Sequence, residues 1–213
     1  MRSLILKMHI SVDGFVAGAD GAIDWIFKTT DPEGRAWTVE TISNAGAHLM
    51  GSRTFRDMAA YWPKASDAFA APMNEIPKVV FSRTSLAATA TTRALEDATR
   101  LEPGADAPVS AAIAESWTNP TVASGDLSDE IARLKQQDGK PLLAHGGARF
   151  AQSLVRLGLV DEYHLAVHPV ALGRGLALFS ALERPLALEM ISTKTFKSGT
   201  IARIFRPAPL EPG

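Results

Sequence analysis

Apolar residues fill almost every position between Ser3 and Val12: Leu4, Ile5, Leu6, Met8, Ile10 and Val12. A run of this length, broken by Asp13-Gly14, predicts a buried strand. The glycine-rich stretch GFVAGADGAIDW, with Gly14, Gly18 and Gly21, reads as a loop. Asp31-Pro32-Glu33 predicts a helix start, because proline suits the first turn and the helix dipole favours acids there. That helix extends to about Ala45. Ala47 to Met50 forms a short strand ending at Gly51. Thr54 to Tyr61 forms a helix that stops before Pro63. Lys78 to Phe81 is the next strand, and it ends at Ser82-Arg83-Thr84.

Residues 85–118 break the rhythm. They are rich in Ala and Thr, hold Pro103, Gly104 and Pro108, and show weak periodicity. They read as a partly helical insertion. Thr121 to Ser124 is then a short strand. From Asp126 to Gln137 a helix sets Leu127, Ile131 and Leu134 on one face, with Gly139 beyond its end. Pro141 to His145 is a strand, and Gly146-Gly147 opens a helix whose stripe is Phe150, Leu154 and Leu157. Gly158 closes it. Three strands finish the chain: Glu162 to His168, Leu186 to Thr195, and Thr200 to Phe205. Lys197-Ser198-Gly199 joins the last two as a hairpin.

Strands and helices thus alternate, and an antiparallel pair comes last. The pattern predicts a single α/β domain over residues 1–213 with three α-β-α layers. Its sheet is mostly parallel, with an antiparallel C-terminal hairpin.

Composition narrows the function classes. The formal net charge of −1 in 213 residues argues against nucleic acid as a partner. With no cysteine, disulfides, thiolate catalysis and cysteine-bound zinc are excluded. No other metal motif is present. No segment approaches the roughly 20 apolar residues of a membrane helix. Lys7, His9 and Asp13 interrupt any signal-like run at the start. The default is a cytoplasmic protein with a small-molecule substrate.

Chemistry concentrates at strand ends. Gly51-Ser52-Arg53-Thr54, Ser82-Arg83-Thr84 and Gly146-Gly147-Ala148-Arg149 each follow a strand of the predicted parallel sheet. Ligands of open parallel sheets bind beyond the carboxyl ends of strands. Glycines let a phosphate approach the backbone, helix starts offer free N–H groups, and hydroxyl and guanidinium groups add charge-assisted bonds. The glycine pair alone is equally consistent with a tight turn or close packing. Arg53 and Arg83 at equivalent strand ends suit a doubly charged group such as a ribose 2′-phosphate, which favours NADPH over NADH. No G-x-G-x-x-G follows the first strand. Asp13, just past that strand, is the candidate catalytic residue, or else a turn residue bonding its own backbone. His145 closes a strand and stands either for a substrate contact or the acid, or for a satisfied core group. His168, before Pro169, has the same two readings. Asp24 either caps a helix or touches substrate.

The motifs SVDGFVA, MGSRTF, VVFSRT, LLAHGGARFAQSL and YHLAVHPVALGRGLALF, in that order, resemble the dihydrofolate-reductase-like superfamily. Within it the chain resembles the group related to the C-terminal reductase domain of the bifunctional riboflavin-biosynthesis deaminase-reductase. The resemblance spans nearly all of the chain outside about 85–118. It implies an NADPH-dependent reductase similar to 5-amino-6-(5-phosphoribosylamino)uracil reductase, acting on a small heterocyclic or carbonyl substrate. The alternatives are a dihydrofolate or pterin reductase and a non-catalytic NADPH or small-heterocycle binding module.

It also implies roles. Gly51, Ser52, Arg53 and Thr54 would grip the cofactor phosphates and adenosine ribose. Ser82, Arg83 and Thr84 would hold the 2′-phosphate, and Gly146, Gly147, Ala148 and Arg149 the pyrophosphate. Val16 and Ala17 would belong to a mobile loop beside the nicotinamide, and Trp25 would border the substrate. A homodimer is implied as well. Two positions depart from the riboflavin-pathway pattern. His145 stands where those enzymes carry an acid before the glycine pair, and Met58 where they carry an aspartate. The pterin-binding carboxylate of dihydrofolate reductases falls near Gly34, with Glu33 one residue away.

Overall fold

In the computed structural model, residues 1–83 and 116–209 are described. Thr84 and residues 85–115 of the expected insertion lie outside them. The elements run β1 (Leu4–Ser11), β2 (Phe15–Ala17), α1 (Asp24–Lys28), α2 (Pro32–Ser43), β3 (Ala47–Gly51) and α3 (Ser52–Tyr61). Next come a 3-10 turn at Trp62–Lys64, α4 (Ala70–Glu75), β4 (Lys78–Phe81), β5 (Thr121–Ala123) and α5 (Leu127–Lys135). The chain ends through β6 (Leu142–His145), α6 (Ala148–Arg156), β7 (Glu162–His168), β8 (Leu176–Ala177), β9 (Leu188–Thr195) and β10 (Ile201–Pro207).

The main sheet has the order β5-β4-β3-β6-β1-β7-β10-β9. From β5 to β7 every pairing is parallel. β10 runs antiparallel to β7, and β9 antiparallel to β10. The predicted mostly parallel sheet with an antiparallel C-terminal edge is what forms. All the parallel strands therefore end on one side of the molecule, where β3, β6 and β1 lie next to one another.

β1 is buried on both faces, which is why its sequence reads as an apolar run interrupted only at Lys7 and His9. Side chains alternate across a strand, so Leu4, Leu6, Met8 and Ile10 share one face. They join Leu49, Leu142, Ala144 and Leu165 under α5 and α6, which contribute Ile131, Leu134, Ala151 and Leu154. Ile5 points the other way, toward Met50, Val80, Leu143 and a layer holding Ile42 of α2, Phe55 of α3 and Met73 of α4. Helices cover both faces, and three layers result.

The structure differs from the sequence expectation in two places. The glycine-rich stretch is not all loop. Phe15 pairs with Ala177 and Ala17 with Leu176 in a small antiparallel sheet, and Asp24–Lys28 turns into α1. The pairing partner lies some 160 positions downstream, beyond the reach of local pattern. Gly175 is needed there, since a Cβ would fall 2.2 Å from the Ala17 carbonyl oxygen. In the expected insertion, Ser116–Thr118 is helical and Trp117 is core. The Trp117 ring packs 5.7 Å from Phe55, and its Nε1 donates to Asn74 Oδ1 at 2.7 Å.

Candidate functional site

The three suspected turns meet physically. The β3, β4 and β6 ends are adjacent, and the first turn of α6 packs over them. Phe150 packs against Phe81, with the rings tilted and 4.9 Å apart. It also lies 3.7 Å from where a Cβ on Gly51 would sit. Gly146 and Gly147 both take positive φ, 94° and 78°, a conformation cheap only for glycine. A Cβ on Gly147 would lie 2.6 Å from Thr54 Oγ1, and one on Gly146 3.2 Å from Thr54 Cγ2. Thr54 of α3 therefore rests on the glycine pair, and the β3 and β6 turns form one unit.

Capping separates α3 and α6 from α2 and α5. α2 is capped by Asp31, whose Oδ1 accepts from Gly34 N at 2.8 Å. α5 is capped by Asp126, which accepts from Ser128 N at 2.8 Å. α3 and α6 start instead at Gly51 and Gly147, with no side-chain cap and no acid in the first turn. Their first N–H groups carry the positive end of the helix dipole. Arg53, Arg83 and Arg149 are exposed around them. Among the described residues none of the three has a carboxylate partner. Ser82 is half-buried, with its backbone N–H on the Ala123 carbonyl at 3.1 Å. Unclaimed N–H groups, positive-φ glycines and free guanidinium groups fit the phosphates of a dinucleotide.

Asp13 is bonded through both carboxylate oxygens. Its Oδ1 accepts from Ser11 Oγ at 2.5 Å, and its Oδ2 from the backbone N–H groups of Leu172 and Gly173 at 3.0 and 2.7 Å. These bonds, that of Ser11 first and that of Gly173 next, hold its carboxyl below the usual carboxylate range. A carboxylate so held is no proton donor near neutral pH. Through these bonds Asp13 ties the end of β1 to the loop before β8. Val16 and Ala17 are buried in β2, with Val16 in the main core, rather than in a mobile loop. Asp24 pairs with Lys28 one turn along α1.

The opposite face of the sheet from Leu4 and Leu6 holds a row of bases. Strand register puts Lys7 beside His145 of β6 and His164 of β7, His48 beside Lys78, and Ser11 beside His168. His9 follows Lys7 by two residues. All five histidines of the chain thus share this face with Lys7 and Lys78. Lys7, His48, Lys78, His145 and His168 are buried. His48 and His145 meet edge to face at 4.6 Å, and His145 Nε2 has no hydrogen-bond partner among the described residues. Lys78 is satisfied: its Nζ donates to Asn74 O at 3.1 Å and Ser116 Oγ at 2.9 Å, over the Trp117 ring. Lys7 is less so: among the described residues its Nζ bonds only to His9 Nε2.

Burial sets the protonation of this row. It pushes the Lys7 amine down to about 7. Burial lowers His145 well below its ordinary value, with the charges of His48, Lys7 and Lys78 adding to the effect. His168 falls to about 4, from burial first and Lys7 second. The His145 and His168 rings are neutral at pH 7 and the Lys7 amine is poised between its two forms.

Trp25, expected to border the substrate, is buried and meets His168 edge-on at 5.3 Å. His145 is where expected, one residue before the glycine turn. Lys7 and His9 are the additions. In sequence they only interrupt an apolar run; the signal is their same-face spacing, in line with a strand-ending histidine on either neighbour.

The sequence matches the family described as RibD C-terminal domain over residues 2–202. It is 26% identical over 204 residues to uncharacterized protein YyaP of Bacillus subtilis, covering 96% of this chain and 94% of that protein. It is 25% identical over 197 residues to YwjB of the same organism, covering 92% of each. Among solved structures it resembles a putative riboflavin biosynthesis protein from Shewanella sp. PV-4, with TM-score 0.65, 21% identity, and 97% and 99% of the two chains covered. It also resembles the Thermotoga maritima diaminohydroxyphosphoribosylaminopyrimidine deaminase/5-amino-6-(5-phosphoribosylamino)uracil reductase, with TM-score 0.65 and 19% identity. That likeness covers 97% of this chain and 57% of the larger one.

Proposed function

The chain belongs to the RibD C-terminal domain family, and from that premise we propose that it is an NADPH-dependent reductase of a small heterocyclic or carbonyl substrate. The observation that carries the reading is the meeting of two uncapped, glycine-led helices with a poised amine. Gly146-Gly147 leads α6, and Lys7 lies beside His145, the residue just before that turn.

In this reading Gly51, Ser52, Arg53 and Thr54 hold the adenosine ribose and phosphates. Gly146, Gly147, Ala148 and Arg149 hold the pyrophosphate, and Ser82 and Arg83 the 2′-phosphate, with Thr84 beside them in sequence. When bound, NADPH supplies a hydride to a C=N or C=O carbon. The protein's part is to orient the reactants, exclude water and deliver a proton. Lys7 serves as that proton's source, because an amine near pKa 7 donates readily at neutral pH. His145 lines the substrate space beside it. A pterin finds no carboxylate in the expected place: Gly34 is buried against Phe196, and Glu33 is drawn to Lys194 at 2.8 Å.

Thermal shift with NADPH and with NADH tests the cofactor, since a ligand of the native state raises the melting temperature. NADPH is expected to give the larger shift, and Arg83→Ala to erase the difference while sparing NADH. Equal shifts that survive Arg83→Ala reject the 2′-phosphate assignment. NADPH oxidation with pterins, pyrimidines, quinones and aldehydes tests the reaction. Strong binding without oxidation of any of them favours a binding module instead.

A further inference from the structure

Lys7 is the near end of a chain of hydrogen bonds whose direction can be worked out. His9 Nδ1 lies 2.8 Å from His168 Nε2. His168 Nδ1 lies 2.8 Å from Thr29 Oγ1 and 3.3 Å from Thr200 Oγ1. Each hydroxyl has one proton, and both are already spent. Thr29 Oγ1 donates to the Trp25 carbonyl and Thr200 Oγ1 to the Thr29 carbonyl, each at 2.6 Å. Both hydroxyls must therefore accept from His168, so His168 carries its proton on Nδ1. Its Nε2 is then an acceptor, and His9 must donate to it from Nδ1. That leaves His9 Nε2 bare, an acceptor facing Lys7 Nζ.

We propose that His9 and His168 are positioning residues, locked as Nδ1–H tautomers by Thr29 and Thr200, whose combined effect is to hold the Lys7 amine by one N–H and leave the others for the substrate. The proposal rests on the reading of Lys7 as the proton source. The chain stops at backbone carbonyls, so it fixes an orientation and does not conduct protons to solvent. Among the described residues no carboxylate pairs with Lys7. The titratable groups facing it are His9 on β1, His145 on β6 and His164 on β7, with His48 and Lys78 beyond. α2 presents only Gly34, Thr38 and Ile42 as buried residues above them. The sole acid on this face of the neighbouring strand, Glu162, is paired with His164 at 2.9 Å.

Long-range 1H–15N spectra of the histidines test the tautomers without cofactor or substrate. Both rings are expected as Nδ1–H, and an Nε2–H form at either one overturns the proposal. A 15Nζ titration of lysine then reads the coupling. His9→Leu removes the acceptor that favours the ammonium, so the Lys7 midpoint should fall by about half a pH unit or more. His9→Gln, whose amide oxygen can take the place of Nε2, should restore it. Thr200→Val tests the far end if His168 substitutions do not fold. A midpoint unmoved by His9→Leu overturns the positioning role. If turnover instead survives Lys7→Met while the tautomers and the midpoint behave as stated, the proton-source reading fails and the hydrogen-bond chain stands.

Discussion

The two faces of β1 are made from neighbouring residues of one strand, and they do opposite things to the fold. Leu4, Leu6, Met8 and Ile10 enter a core with no polar group to satisfy. Burying each such side chain stabilises by roughly 1.5–3 kcal/mol. Lys7 and His9, on the other face, meet mostly other bases. Removing an amine from water without a counter-charge costs free energy, and the depressed pKa of Lys7 is that cost expressed as protonation. One face builds the protein and the other burdens it. Such a burden is tolerated where activity needs it. Lys78 sharpens the point: equally buried, it is bonded to Asn74 and Ser116 and covered by Trp117. Among the described residues Lys7 has only His9.

The largest expected effect comes from removing the burden. Lys7→Met should lower NADPH-dependent turnover by about 100-fold or more, the usual worth of a positioned general acid. The same variant should be more stable than the wild type at neutral pH. On the opposite face Leu6→Ala should do the reverse, losing about 3 kcal/mol of stability while the remaining folded protein keeps its cofactor binding. Urea unfolding and turnover, measured on both variants, decide the matter. A Lys7→Met protein that is destabilised like Leu6→Ala would make Lys7 an ordinary structural residue.

The pH dependence follows from the sign of the shift. Below about 7 both folded and unfolded chains hold the Lys7 proton. Between there and its ordinary value near 10.4, only the unfolded chain holds it. Stability should therefore rise with pH across that window, with Lys78 contributing in the same range. Lys7→Met should remove roughly half of the rise, on the order of a few kcal/mol in total. A rise that is unchanged in the variant places the titration on other groups.

A middling effect is expected at the glycine pair. Gly147→Ala forces a side chain to φ 78° and sets its Cβ 2.6 Å from Thr54 Oγ1. The conformational part costs about 1–2 kcal/mol. Thr54→Ala in the same chain should relieve the steric part only. Loss of the NADPH thermal shift in Gly147→Ala, kept in Thr54→Ala alone, would show that the turn itself carries the binding.

Much of this was legible in sequence because parallel strands buried on both faces read as apolar runs. The strand ends at Gly51, Ser82 and Gly146 announced themselves through glycine, hydroxyl and arginine. What stayed hidden depended on pairing. The joining of Phe15 to Ala177 requires residues far apart in the chain. The basic face required knowing that His145 and His164 lie level with Lys7. In a single sequence Lys7 and His9 look like blemishes in a strand. Trp117 looked like the end of an insertion and proved to be core.

Asp13 should give the smallest effect, and it is informative for that reason. It stands just past Ser11, at the carboxyl end of the strand that divides the two faces. Its bonds go to Ser11, Leu172 and Gly173, and none goes to the basic row. Asp13→Ala should free the Leu172 and Gly173 amides, so their hydrogen exchange should speed up and proteolysis near Arg174 should increase. The melting temperature should fall less than in Leu6→Ala or Gly147→Ala, because the carboxylate is solvent-exposed and its bonds compete with water. Asn retains one acceptor oxygen and should recover part of the protection. The decisive reading is the pH profile of turnover. A clamp changes its height and leaves its midpoint in place, whereas a proton donor at Asp13 would take the limb with it. A shifted or missing limb in Asp13→Asn would return this residue to the chemistry and take the proton from Lys7.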